Sequence, residues 1–195
     1  MAELHKEIGR CQACDLARGR TLVVPGDGPE DAQIVFIGEA PGWNEDQQGR
    51  PFVGQAGQFL DQLLAQVNLP RGRTYITNVI KCRPPNNRDP LPSEMEMCRH
   101  WLDRQLETLK PKMIVTLGRY SMARYFPGET ISKVHGTARS RDGIIYFAMY
   151  HPAAALHQQS LRHTIEEDMK KIPAILAQAQ KVPEAEKKPQ QLSFF

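Results

Sequence analysis

Cys11 and Cys14 form a C-x2-C pair in CQAC, and two further cysteines follow at Cys82 and Cys98. Thiolates at the first spacing reach one metal or cluster without straining the chain, whereas the second pair lacks the short spacing usual in zinc ribbons. Read without a metal, these are ordinary buried thiols, Cys98 falling on a helical stripe with Trp101, Leu102, Gln105 and Leu109. A second concentration of chemistry is GEAPGWNEDQQGRPFVG, Gly38 to Gly54. Its glycines admit backbone N–H groups close to a ligand, and Glu39, Glu45 and Asp46 set carboxylates beside them. The loop has no G-K-[ST] ending, and its acids repel a polyanion, so it does not read as a phosphate cradle. Phe52 in that loop, Asn78 in TNVIKC and His151 in YHPAAALH add an aromatic face, a carboxamide and an imidazole. Singly, each has a plain role as core, turn former or satisfied polar residue; gathered at one place, they suit a flat heterocycle.

What would gather them is the order of the elements. Apolar runs at Gln33–Ile37, Tyr75–Val79, Met113–Leu117 and Ile144–Met149 predict strands. Helical periods follow at Gln55–Val67, Pro92–Leu109, Arg119–Phe126 and Thr164–Gln178. Short, continuously apolar strands alternating with helices predict an α/β chain, with a mostly parallel sheet between helical layers. Ligand sites in such folds form beyond the carboxyl ends of the strands, where GEAPG, NVIKC, GRYS and YHPAA lie. Ser93 and Glu96 have capping-box spacing at the start of the Pro92 helix, and four prolines from Pro84 to Pro92 keep the segment before it turned or extended.

The 195 residues suit one domain, expected over residues 1–180, with 41% hydrophobic and 24% charged residues excluding a disordered or fibrous chain. A net charge of +3 is too mild for a broadly basic coat, so any nucleic-acid contact must be local. The opening MAELHKEIGRCQAC scatters charge where a signal peptide would be apolar, and runs such as Ile144–Tyr150 are too short to span a bilayer. The expectation is a cytoplasmic monomer with no membrane partner, in a compartment where four cysteines stay reduced. Residues 181–195 read as a flexible polar tail with an apolar tip.

Taken together, GEAPG at 38–42, GRPFVG at 49–54, TNVIKCRPP at 77–85, HPAA at 151–154 and the four cysteines resemble the family 4, iron–sulfur branch of the uracil-DNA glycosylases. The resemblance implies a three-layer α/β/α sandwich and a structural [4Fe-4S] cluster on Cys11, Cys14, Cys82 and Cys98. It also implies hydrolysis of the bond between uracil and deoxyribose in DNA, in single or double strands. A related branch that is trapped on abasic DNA carries an Arg/His-rich insertion after the second-strand motif; KCRPPNNRDP lacks it, which implies ordinary turnover. In the implied site Phe52 stacks on the base and Asn78 reads its N3–H and O4, while His151 and a backbone N–H near Ala40 and Pro41 support O2. Where the best-studied branch has a water-activating Asp, this chain has Ala40, which leaves Glu39 and Glu45 as the catalytic acids, Glu39 contacting the site and Glu45 helping to exclude thymine's methyl group. Lys81, Arg83, Arg88, Lys133, Arg139 and Arg141 are candidate phosphate contacts, and Leu156 a wedge for the vacated stack. Gln191–Phe195, QLSFF, resembles the short peptide with which bacterial repair proteins bind the sliding clamp. Two further readings stay open: a non-catalytic zinc module that docks on nucleic acid or protein, and an enzyme of free nucleotides.

Overall fold

Five strands form one sheet in the order β2-β1-β3-β5-β4: β1 Ile34–Gly38, β2 Tyr75–Asn78, β3 Met113–Leu117, β4 Ala138–Arg141 and β5 Ile144–Met149. The structure, a computed structural model, describes residues 1–181, so the QLSFF segment lies outside the described residues. β1 pairs in parallel with β2 and β3, and β3 with β5. Every residue of β1, β2 and β3 is buried, as expected of strands covered on both faces.

Strand alternation sorts these side chains into two cores. Val35, Ile37, Tyr75, Ile114 and Ala148 face one way, against Leu102 and Leu109 of α5 (Pro92–Leu109) and Met122 of α6 (Arg119–Ala123). Ile34, Phe36, Ile76, Val115 and Phe147 face the other, against Phe59, Leu60, Leu63 and Leu64 of α4 (Gln55–Gln66) and Ile165, Met169 and Ile172 of α9 (Ser160–Lys181). The result is the α/β/α sandwich. Shorter helices complete it: α1 (Ala2–Gly9), α2 (Leu16–Gly19), α3 (Trp43–Gln48), α7 (Ile131–Val134) and α8 (Ala154–His157).

One strand is added and one local expectation is corrected. β4 is an antiparallel edge strand whose residues are all exposed; ARSR carries no apolar alternation from which a strand can be read. The α5 cap is made by Glu94, whose Oε2 accepts the Leu91 N–H at 2.8 Å, and not by Glu96. Leu91 precedes the Pro92 that opens the helix, and Glu94 is the third helical residue, so its carboxylate also meets the positive end of the helix.

Candidate active site

The carboxyl ends of β1, β2 and β5 open on a cavity of about 360 Å³ lined by Glu39, Ala40, Pro41, Phe52, Asn78 and His151. Pro84, Asn87, Arg88, Asp89 and Pro90 form another part of its wall. That wall is tied at two adjacent residues: Arg88 donates to both Glu94 carboxylate oxygens at 2.9 and 2.5 Å, and Arg119 of α6 donates to Asp89 at 2.5 Å.

Asn78 ends β2 and is 1% exposed, and its Oδ1 is buried with no hydrogen-bond partner. Leaving such an acceptor unmet costs about 1–3 kcal/mol, a cost that a donor on a bound ligand removes. Gly38 makes room for it: a Cβ there would lie 2.4 Å from Asn78 Oδ1 and 2.7 Å from the Phe52 ring. Phe52 holds φ at 51°, in the left-handed region that aromatic residues rarely occupy, with a strain of about 1–3 kcal/mol. Its ring stacks on His151 with centroids 5.4 Å apart and planes at 28°.

The tautomer of His151 follows from its neighbours. The Ala153 N–H donates to Nδ1 at 3.1 Å, so a neutral ring carries its proton on Nε2. Burial pushes the imidazole pKa down to about 4, against a weaker opposing pull from Glu45. At neutral pH the side chain is therefore an uncharged Nε2–H donor.

The two glutamates differ. Glu45 accepts three backbone N–H bonds, from Gly42 at 3.1 Å, Val53 at 2.9 Å and Gly54 at 2.8 Å, and so pins the GEAPG turn to the GRPFVG turn. Glu39 is held loosely, by the Tyr120 N–H at 3.4 Å, and burial raises its pKa despite that bond and the nearby Arg119. Of the two, Glu39 has oxygens left to meet a ligand or a water.

The basic candidates separate on burial and pairing. Lys81 is 1% exposed and donates to Thr77 Oγ1 and to the Asn78 carbonyl, both at 2.7 Å, so it is withdrawn from any phosphate. Arg83 is engaged by Asn87 Oδ1 at 2.6 Å, Arg139 by Glu129 at 2.7 Å, and Arg141 lies over the Tyr146 ring. Lys133 on α7 is exposed, and Leu156 on α8 is 45% exposed rather than packed into the core.

All four cysteines line one apolar cavity with Ile8, Val23, Met97 and Trp101, and all are free thiols. Burial raises the Cys82 pKa and pushes Cys98 up to about 11, so ionised thiolates here need a strong positive partner. Among the described residues no three His, Cys, Asp or Glu side chains gather tightly enough for one metal ion. A tetrahedral zinc needs sulfurs about 3.8 Å apart from its bond lengths, whereas a multi-iron cluster holds its thiolates at a wider spread. Two further features fit a large anionic group: Arg20 donates to Cys82 Sγ at 3.0 Å, and Trp101 Nε1 is buried without a partner.

Sequence reasoning missed Arg71, which lies outside every motif and donates to the Phe52 carbonyl at 3.1 Å and the Pro51 carbonyl at 2.6 Å. Side-chain-to-backbone bonds leave no residue pattern from which to find them.

A family model described as the uracil DNA glycosylase superfamily matches residues 25–176. Among curated proteins the chain is 48% identical to a Type-4 uracil-DNA glycosylase of Sulfurisphaera tokodaii, over 88% of this chain and 83% of that protein. It is also 48% identical to the Type-4 enzyme of Archaeoglobus fulgidus, over 87% of this chain and 90% of that protein. A Type-5 uracil-DNA glycosylase of Pyrobaculum aerophilum is more distant, at 31% over 73% and 70%. With the match spanning the sheet, the cavity and the strand-end motifs, the chain belongs to the uracil-DNA glycosylase superfamily, in its Type-4 branch.

Proposed function

We infer that the protein hydrolyses the N-glycosidic bond between uracil and deoxyribose in DNA, releasing uracil and leaving the abasic site from which base excision repair proceeds. The observation that carries the residue-level reading is the pairing, in one cavity, of an unmet Asn78 acceptor with a neutral His151 donor.

A stacked base is out of reach, so uracil enters by extrusion, at a cost of a few kcal/mol, or from single strands. Asn78 Oδ1 accepts N3–H and its amide donates to O4; cytosine, with no N3–H and an amino group at C4, mismatches both. Phe52 stacks on the ring. As the bond to C1′ lengthens, electrons pass to the uracil, and negative charge on O2 draws the His151 Nε2–H and the backbone N–H at Ala40. Donors that strengthen as charge develops lower the barrier rather than only improving binding. Glu39 orients the water whose oxygen attacks C1′ and steadies the cationic sugar, and the proton that this water loses ends on the departing uracil anion. Glu45, through Gly42, Val53 and Gly54, fixes the two turns and so the room beside C5, where thymine carries its methyl group.

The cysteine cavity is assigned to a [4Fe-4S] cluster on Cys11, Cys14, Cys82 and Cys98, with Arg20 and the unpartnered Trp101 N–H facing it; bound there, it would cross-link the segments that carry Cys11, Cys14 and Cys82 to helix α5, which carries Cys98. Cys82 and Cys98 bracket the Pro84–Pro90 wall of the uracil cavity, so the cluster's contribution is to hold that wall in place. Lys133 and Arg83 are assigned to phosphates and Leu156 to the emptied stack, its exposure supporting that role. No helix among the described residues is long and apolar enough to cross a membrane. We assign the enzyme to the nucleoid as a cytoplasmic monomer, with Gln191–Phe195 as a peptide for the sliding clamp.

The direct test incubates the brown, cluster-loaded protein with an oligonucleotide bearing one uracil and then cleaves abasic sites with alkali. Scission at the uracil position, and none in a thymine or cytosine control, is expected. An intact uracil strand would overturn the assignment.

A further inference from the structure

Phe52 is held in a backbone conformation it does not favour, and two of its neighbours act on its backbone rather than its ring. Gly57 of α4 lies against it so closely that a Cβ there would come 2.0 Å from the Phe52 carbonyl oxygen. Arg71 Nη1 also donates to that same carbonyl, at 3.1 Å, and Nη2 to the Pro51 carbonyl at 2.6 Å. In the bend that φ = 51° gives Phe52, two successive carbonyls turn toward one guanidinium. The guanidinium is itself anchored by Asp61 of α4, whose Oδ1 accepts from Nη1 at 2.9 Å, and the Arg71 side chain is only 22% exposed. Arg71 opens the turn just before β2, so one side chain joins the start of the Asn78 strand, helix α4 and the loop that carries the aromatic ring.

We propose that Arg71 is a positioning residue for uracil capture: its two-pronged contact with the Pro51 and Phe52 carbonyls locks the left-handed bend that presents the Phe52 ring to the base. It touches no substrate and acts through Phe52. A planar fork with fixed donors suits two neighbouring carbonyls; a lysine ammonium supplies the charge without that geometry. This inference rests on the stacking role given to Phe52 above, and its test separates the two.

The test is a double-mutant cycle on the cluster-loaded protein, using a single-stranded oligonucleotide with one uracil under single-turnover conditions. Arg71→Ala, Phe52→Ala and the double variant are compared, with thermal melting and the visible absorption of each as folding controls. Arg71→Ala is expected to weaken half-saturation and lower excision efficiency tenfold or more in the Phe52 background, but less than twofold once Phe52 is alanine. Arg71→Lys restores part of the loss. Asp61→Asn, which leaves the fork but frees its anchor, gives a smaller loss with the same dependence on Phe52; it also serves if Arg71→Ala does not fold. An equal loss in both Phe52 backgrounds, or none in either, overturns the clamp. A Phe52→Ala protein with wild-type efficiency overturns the stacking role itself, a distinct failure.

Discussion

Replacing His151 with alanine separates electrostatic catalysis from base binding. The substitution removes one Nε2–H donor whose direction is fixed by the 3.1 Å bond from the Ala153 N–H. Losing one such donor to a developing oxyanion costs about 10²–10³ in rate, or roughly 2.7–4 kcal/mol. It also removes the ring stacked 5.4 Å from Phe52, an aromatic contact of about 0.5–1.5 kcal/mol whose loss falls on binding and on ring order. The expected protein is folded and cluster-loaded, with a saturating single-turnover rate down by about 10²–10³ and a smaller change in half-saturation. The wild-type enzyme supplies the pH arm. With its pKa pushed down to about 4, His151 is neutral across pH 5–8, so the rate should cross pH 6.5 without an inflection from this ring. A rate within fivefold of wild type for His151→Ala, or a wild-type profile requiring a protonated histidine near pH 6.5, would refute the neutral-donor argument.

Other outcomes follow from the same geometry. Asn78→Asp should lose most uracil excision and gain measurable release of cytosine from a cytosine-bearing strand, and unchanged preference between the two bases would count against the carboxamide reading. Gly38→Ala places a Cβ 2.4 Å from Asn78 Oδ1 and 2.7 Å from the Phe52 ring; overpacking of this kind costs about 1–3 kcal/mol, and excision should fall more than melting temperature does. Because the folded pKa of His151 lies below the ordinary 6.5, the unfolded chain binds more protons between the two values. The contribution of this ring to stability is therefore full above pH 6.5 and lost as pH falls toward 4, a slope that unfolding titrations should find reduced in His151→Ala. Cys14→Ser should lose visible absorption and melt about 10 °C lower, from a few kcal/mol of lost cross-linking; normal melting with the absorption gone would remove the structural role.

The four parallel strands are short, mostly apolar runs, IVFIG and MIVTL among them, and burial on both faces is why such runs are readable. β4 was not readable, because an exposed edge strand of alternating Arg and small residues has no buried face to impose a period. Composition also misplaced Lys81. A lysine in a loop after a strand reads as solvated, and only the fold reveals that its ammonium turns back onto Thr77 and the Asn78 carbonyl. The loop acids were legible as a pair, but the three backbone bonds that occupy Glu45 were not, since its partners come from two separate turns. Arg71 was invisible for a related reason: its partners are carbonyl oxygens, which every residue possesses.

That Asn78, Phe52 and His151 grip one uracil is tested most directly by the complex of the enzyme with an abasic strand and free uracil. The expected crystal structure has the ring on Phe52, the Asn78 carboxamide at N3 and O4, and His151 Nε2 within hydrogen-bond distance of O2. Uracil seated elsewhere, or bound here with its O2 turned away from His151, would contradict it.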